Sequence, residues 1–280
     1  MERLSARSLK PLSDSVPSMD GDLRYPQWLA GSWRATNTAT GFSMPLGKRF
    51  VDPYLLRLGQ QDATTGRQRQ YLLSYEDGAR PPPGQPTLTV RQQRPFSTIQ
   101  EERAFTATKG TTIERGRYIL DPPHPHGRIV LDVRDDVTPE RSVIRGTDGP
   151  RELSRAASAW EVRKTVRSQL ELDVAWAAWE ECDDGTFVTS ELAVQRSVLP
   201  LGVVDESYLE ILFRFERPTG AEPQPDAVRA SYRVAQYLSL PHATPPAAAT
   251  KEARTLARQA AGRAVALLDY DVLLERRRPE

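Results

Sequence analysis

Residues 41–48 read Gly-Phe-Ser-Met-Pro-Leu-Gly-Lys, the composition of a phosphate-cradling loop. Such a loop needs four residues between its glycines and a Ser or Thr after the Lys to hold Mg²⁺. Here five residues separate Gly41 from Gly47, and Arg49 follows Lys48, so nucleotide chemistry is not supported. Ser43 also fails as a strained nucleophile, because Pro45 stands where the second Gly of the elbow belongs. The segment reads instead as a loop joined to a strand. His124 and His126 could meet a metal from one hairpin, but the third histidine, His242, lies in another loop. Structural zinc takes four N or S ligands and catalytic zinc three protein ligands, so no metal site is expected. The single thiol, Cys182, lies among Glu180, Glu181, Asp183 and Asp184, and that acidic setting disfavours the thiolate a nucleophile needs. Glu191, Glu206 and Glu210 fall on or near strands and could do acid–base work if they met inside a barrel. Strand parity sets Glu210 opposite Leu209 and Phe213, hence toward solvent. Arg276 to Arg278 and residues 141–167 are basic, but no aromatic stacking platform accompanies them, and they read as solvated surface. No catalytic constellation and no cofactor site emerges.

The elements that would carry these residues are mostly strands. In residues 208–216, Leu209, Ile211, Phe213 and Phe215 share one face, and Glu210, Arg214 and Glu216 share the other, with Leu212 as an exception. In residues 228–238, Val228, Ala230, Tyr232, Val234 and Leu238 oppose Arg229, Ser231 and Arg233. A period of two over such lengths means a half-buried antiparallel sheet. Residues 32–38, 71–75, 117–120, 128–133, 170–179 and 186–196 read the same way. Asp184-Gly185 supplies hairpin turn chemistry. Tyr25 to Leu29 reads as a short helical turn opened by Pro26. Residues 250–262 have helical propensity and stop at Gly262. Residues 264–276 alternate and are expected to form a last strand beside residues 32–38. The fold class is therefore mainly β: a single antiparallel barrel of about 8–10 strands, with the N-terminal helical turn and one helix near the C-terminus.

Composition allows this. A chain of 280 residues can bury about three quarters of its unfolded surface without staples. With 38 basic and 37 acidic residues, its net charge of +1 steers it toward neither nucleic acid nor membrane. One cysteine excludes an intrachain disulfide. No apolar run approaches the ~18 residues of a membrane span. Residues 1–24 read as a disordered leader or transit remnant, rich in Arg and Ser but also carrying Glu2, Asp14, Asp20 and Asp22. Residues 25–278 would form the barrel domain.

Gly31-Ser32-Trp33, at the entry to the first strand, resembles the lipocalin and calycin signature. That resemblance implies that Gly31 lets the chain turn in and that Trp33 plugs one end of the barrel. Arg276 or Arg277 would cover the Trp by a cation–π contact. A longer set of segments is similar to a lipocalin-like family of cyanobacteria and plastids. These are residues 25–33, then Pro45-Leu46-Gly47-Lys48, Phe187-Val188-Thr189-Ser190-Glu191, Tyr237-Leu238-Ser239 and residues 263–270. The chain departs from that pattern in longer loops at residues 80–84 and 220–225 and in lacking an apolar thylakoid-transfer segment. The resemblance implies a chloroplast protein associated with thylakoids or their lumen, and it carries over no catalytic residue. A non-enzymatic accessory or assembly protein of a thylakoid complex ranks first. A carrier of a small apolar ligand such as a pigment, lipid or tetrapyrrole ranks second, and a calycin-type enzyme third. This order rests on an expectation that the inward faces, with Leu209 to Phe215, Tyr232, Val234, Leu238 and Leu268 to Leu274, fill the interior.

The absence of a metal site has a direct test. Protein dialysed after exposure to Zn²⁺ should retain no stoichiometric metal by atomic absorption. Retention that disappears in His126→Ala would contradict the reading.

Overall fold

The structure is a computed structural model that describes residues 23–51, 53–77, 88–106, 111–121, 124–137, 164–182, 185–198, 204–218, 225–238 and 251–277. Eleven antiparallel strands form one curled sheet, a half-barrel. In chain order they are β1 (Tyr25–Pro26), β2 (Gly31–Ser43), β3 (Gln68–Asp77), β4 (Leu88–Gln92), β5 (Thr111–Asp121), β6 (His124–Val137), β7 (Lys164–Glu181), β8 (Phe187–Val198), β9 (Val204–Phe215), β10 (Ala227–Tyr237) and β11 (Ala266–Arg276). Across the sheet the order is β1-β4-β3-β2-β11-β10-β9-β8-β7-β6-β5. The expected last strand does pair with the first long one, Tyr270 opposite Ala39 and Arg276 opposite Trp33. That pairing sits in the middle of the sheet and does not close it. Among the described residues the margins, β1 and β5, are not paired with each other.

The alternation in the sequence translates directly into burial. Tyr232 stands opposite Phe213 on one side and Tyr270 on the other. Their rings stack, with centroids 4.4 Å and 5.4 Å apart, into a ladder across β9, β10 and β11. Such cross-strand aromatic pairs are the unit of sheet stabilisation, each worth roughly 0.2–1 kcal/mol.

Three helices accompany the sheet, where the sequence had suggested one. The C-terminal helix is present as α3 (Lys251–Gln259), and two more are α1 (Pro53–Thr65) and α2 (Arg94–Thr106). Pro53 and Pro95 lie in the first turns, where a missing N–H costs nothing. The Gln93 carbonyl starts α2 by accepting from Ser97 N–H at 2.9 Å. Helix α2 packs against β3 and β5, so it bridges the two sides of the unclosed sheet. Gly116 on β5 lets it seat: a Cβ there would lie 2.4 Å from Ile99 Cδ1. Ile99 then packs onto Ile113, Ile129 and Leu131. At the other end of α2, Phe105 meets Tyr270 edge-on at 5.9 Å, and the Arg69 guanidinium lies 4.5 Å from its ring centre.

One end of the half-barrel is locked by Trp33, which is fully buried. Its Nε1 donates to the Leu29 carbonyl at 2.7 Å, at the end of a 3₁₀ turn (Gln27–Leu29). Arg276 lies over the indole, 4.4 Å from ring centre to guanidinium carbon. Its Nη1 donates to Ala30 O at 2.7 Å, Nη2 to Trp28 O at 3.3 Å and Nε to Pro225 O at 2.9 Å. Gly31, at φ +119°, makes room, since a Cβ would sit 2.6 Å from Arg276 Nη1. Arg277 is exposed, and its backbone N–H continues the pairing to Ser32 O at 2.8 Å. At the opposite end, α1, α3 and the 3₁₀ turn Lys48–Phe50 enclose Phe50, Val51, Ala260, Val265 and Ala266.

Replacing Trp33 with Ala should cost about 3–5 kcal/mol, the range for deleting a large buried aromatic. A urea-denaturation curve that overlays that of the parent protein would contradict this role.

Candidate functional site

The concave face is not filled. A half-open cavity of about 370 Å³ lies between α2 and strands β6 to β11. The expectation of a packed interior is therefore overturned, although the parity behind it is right. Leu209, Ile211, Phe213, Tyr232, Val234, Leu268 and Tyr270 do point inward, and they line the cavity. Two features leave the space. Eleven strands with a helix across the gap enclose more than the narrow closed barrel that was expected. Inward positions on β8 and β9 also shrink to Thr189, Ala193 and Ser207.

The strand register orders the lining into layers. Toward the Trp33 end, Tyr25 packs among Tyr75, Phe187 and Phe215, with ring centroids 5.0–6.3 Å away. Next comes the layer of Thr189, Phe213, Tyr232 and Tyr270. Glu191, Ile211, Val234 and Leu268 form the third layer, and Ala193, Leu209 and Gln236 the fourth. Gln195 and Ser207 face each other beyond them. The middle is apolar and the far end polar, as in most small-molecule sites.

Helix α2 supplies the charged roof. Arg94, buried, makes a bidentate ion pair with Glu191, in which Nη1 reaches Oε2 at 3.3 Å and Nη2 reaches Oε1. This pair ties the start of the helix to the β8 wall. Two turns later, Glu101 faces Tyr232 across the cavity. Burial, then the neighbouring Glu102 and Glu191, push its carboxyl up to about 7, while the Tyr232 hydroxyl pulls it partly back. Burial and the Glu101 charge likewise raise Tyr71 and Tyr232 far above the ordinary phenol range. Tyr270 is pushed up to about 12, chiefly by burial. Glu101 thus sits ringed by tyrosines that stay neutral, half-buried and near its own titration point at neutral pH.

The sequence-derived candidates fall elsewhere. None of Gly31, Trp33, Arg276 and Arg277 lines the cavity. The carboxylates Glu191, Glu206 and Glu210 are not brought together. Glu191 faces inward. Glu206 is held by Arg196 Nε at 2.8 Å and by the Tyr208 hydroxyl, which together keep its carboxyl below the ordinary value. Glu210 is on the outer face, as parity required, but it is not in solvent. It is buried beside Leu212, Ala235 and Tyr237, and accepts from Ser190 Oγ at 2.9 Å and Tyr237 OH at 2.7 Å. Burial pushes its carboxyl up, and the two donors offset part of that. That face carries a second apolar cluster, so parity alone could not say which face is wet. Cys182 is half-buried, and its backbone closes the β7–β8 turn, accepting from Gly185 N–H at 2.9 Å. The backbone of His124 and His126 belongs to β6, while their side chains, His242 and Arg278 lie outside the described residues. No group of three or more His, Cys, Asp or Glu with metal-binding geometry occurs among the described residues. No helix among them is long and apolar enough to cross a membrane.

The fold and this cavity together define a mainly-β, barrel-like protein with a ligand-sized interior roofed by one helix. Residues 17–278 match the family described as a domain of unknown function, DUF6816, and the chain belongs to that family. Compared with curated proteins and with solved structures, the chain has no match in either set.

The Glu101 environment has a stability consequence. Its folded carboxyl titrates above the unfolded value of about 4.3, so its stabilising neutral form is lost as pH rises from there through about 7. Glu101→Gln should match the parent protein near about pH 4 and exceed it by about 1–3 kcal/mol near about pH 8, reduced toward the lower figure by solvent at the cavity. Thermal unfolding across that range reads the difference. A variant equally stabilised at both pH values would contradict the assignment.

Proposed function

We propose that the protein binds a small amphipathic molecule, mainly apolar in its body, inside the half-barrel cavity. The observation that carries this is the cavity of about 370 Å³ itself. Its size lies within the roughly 300–1,000 Å³ of small-molecule sites, and its lining has their usual make-up of apolar walls with a few convergent polar groups. A filled interior would favour accessory docking, and the open cavity supports ligand carriage instead. The resemblance to a lipocalin-like family of plastids adds a setting, thylakoid-associated, in which such a molecule would be carried. A second reading, acid–base catalysis on the bound molecule, is favoured by one specific feature. Glu101, poised near neutrality and facing the Tyr232 phenol, is the kind of group that proton transfer uses.

The binding reading is tested with the uncharged dye N-phenyl-1-naphthylamine. It should bind the native protein one-to-one and be displaced by apolar competitors. Ala193→Trp should fill the cavity and weaken the dye at least about tenfold, with the far-ultraviolet circular dichroism unchanged. Ser207→Phe provides a second obstruction should the first variant misfold. Undiminished dye binding in folded forms of both, or no binding by the parent protein, would overturn the proposal.

A further inference from the structure

We infer that the cavity selects molecules whose polar head is an organic cation, an amphipathic amine, with Glu101 as its counter-ion. This rests on the binding reading above and names the chemistry of its occupant. Among the cavity-lining residues there are three carboxylates, Glu101, Glu102 and Glu191, against one guanidinium, Arg94. Arg94 is already in bidentate contact with Glu191, so that pair adds little net charge. Glu101 is different. It has no cationic partner among the described residues, and the polar group that most favours its charge is a neutral phenol, Tyr232.

The surroundings leave that deficit unfilled. On its own helix, Glu101 is flanked by Glu102. Facing strands bring Tyr71 and Tyr75 from β3, Glu191 from β8, Tyr232 from β10 and Tyr270 from β11. Strands β5 and β6 present Gly116, Ile113, Ile129 and Leu131 beneath the helix, with Tyr118 at the edge of the same cluster. An anionic head placed here would meet the uncompensated Glu101 carboxylate. A neutral head would leave Glu101 as it is. A cationic head would supply the missing partner, while its apolar body lies along Ile211, Val234, Leu268 and Leu209, the layers that lead away from Tyr232.

The same geometry couples binding to a proton. Because Glu101 titrates near neutrality, a cation arriving beside it expels the carboxyl proton below about pH 7. Affinity for a permanently charged amine should therefore rise by up to about tenfold per pH unit below that point and level off above it.

Decylammonium, decanol and decanoate, below their aggregation limits, separate the outcomes by calorimetry and by displacement of the uncharged dye. The ammonium should bind at least about tenfold more tightly than the carboxylate. In buffers of different ionisation enthalpy at about pH 6, up to one proton should be released per ammonium bound, and none for the alcohol. Glu101→Gln should abolish the proton release and the preference for ammonium, while leaving decanol affinity within about twofold. Decanol binding in that variant also shows that it is folded. If all three probes bind alike, or the carboxylate binds best, the cation assignment is wrong and the binding reading stands. If none of the three binds and the uncharged dye does not bind either, both fall together.

Discussion

Helix α2 seated across the gap in the sheet is the contact on which the interior depends. An unclosed sheet exposes two backbone margins and one broad apolar face, and proteins usually cover or charge such margins. Here the cover is a single helix. It is fixed by Ile99 over Gly116 at one side, by Phe105 between Tyr71 and Tyr270 at the other, and by Arg94 on Glu191 at its start. The Arg94–Glu191 pair suits positioning better than raw stability. A buried ion pair gains little over a well-packed apolar one, but losing one partner strands the other charge. The roof over the cavity is therefore held in one place rather than merely held down.

This arrangement explains how much could be read from the residues alone. The strands β9, β10 and β11 were legible because each buries one face, and a one-residue slip would turn every apolar side chain outward. The Trp33 and Arg276 lock was legible only through the resemblance of Gly31-Ser32-Trp33 to the lipocalin signature, and the structure adds the physical reason, a Gly31 at φ +119° whose missing Cβ leaves room for Arg276. Strands β1 and β4 were not, since they are only 2 and 5 residues long. Helix α2 was not, because its apolar positions are few: Phe96, Ile99, Ala104 and Phe105 amid charged residues. It is held by tertiary contacts at its margins rather than by a continuous apolar stripe.

Glu101 was invisible for the same reason. Strand parity says which side chains enter a barrel, but it says nothing of a residue on a helix that closes one. The carboxylates that parity did flag were sorted by what covers each face. Glu191 enters the cavity and is neutralised there, while Glu210 is buried in the second cluster on the other side. The polar group with the most unusual environment thus came from an element that sequence pattern did not reveal.

The register of β11 carries a kinetic consequence. This strand alone joins two blocks of sheet, β1 to β4 on one side and β5 to β10 on the other. The bond from Arg276 to the Ala30 carbonyl spans 246 residues of sequence. Sequence-distant pairings of this kind must pay loop-closure entropy before any contact rewards them, and they slow folding. During synthesis from the N-terminus, each block can begin to order on its own, but the two cannot be joined until the segment bearing Ala266 to Arg276 has left the ribosome. Completion of the sheet thus waits for that last segment, and until then the chain presents two open apolar concave surfaces to its surroundings, the state in which partly folded chains aggregate or engage chaperones.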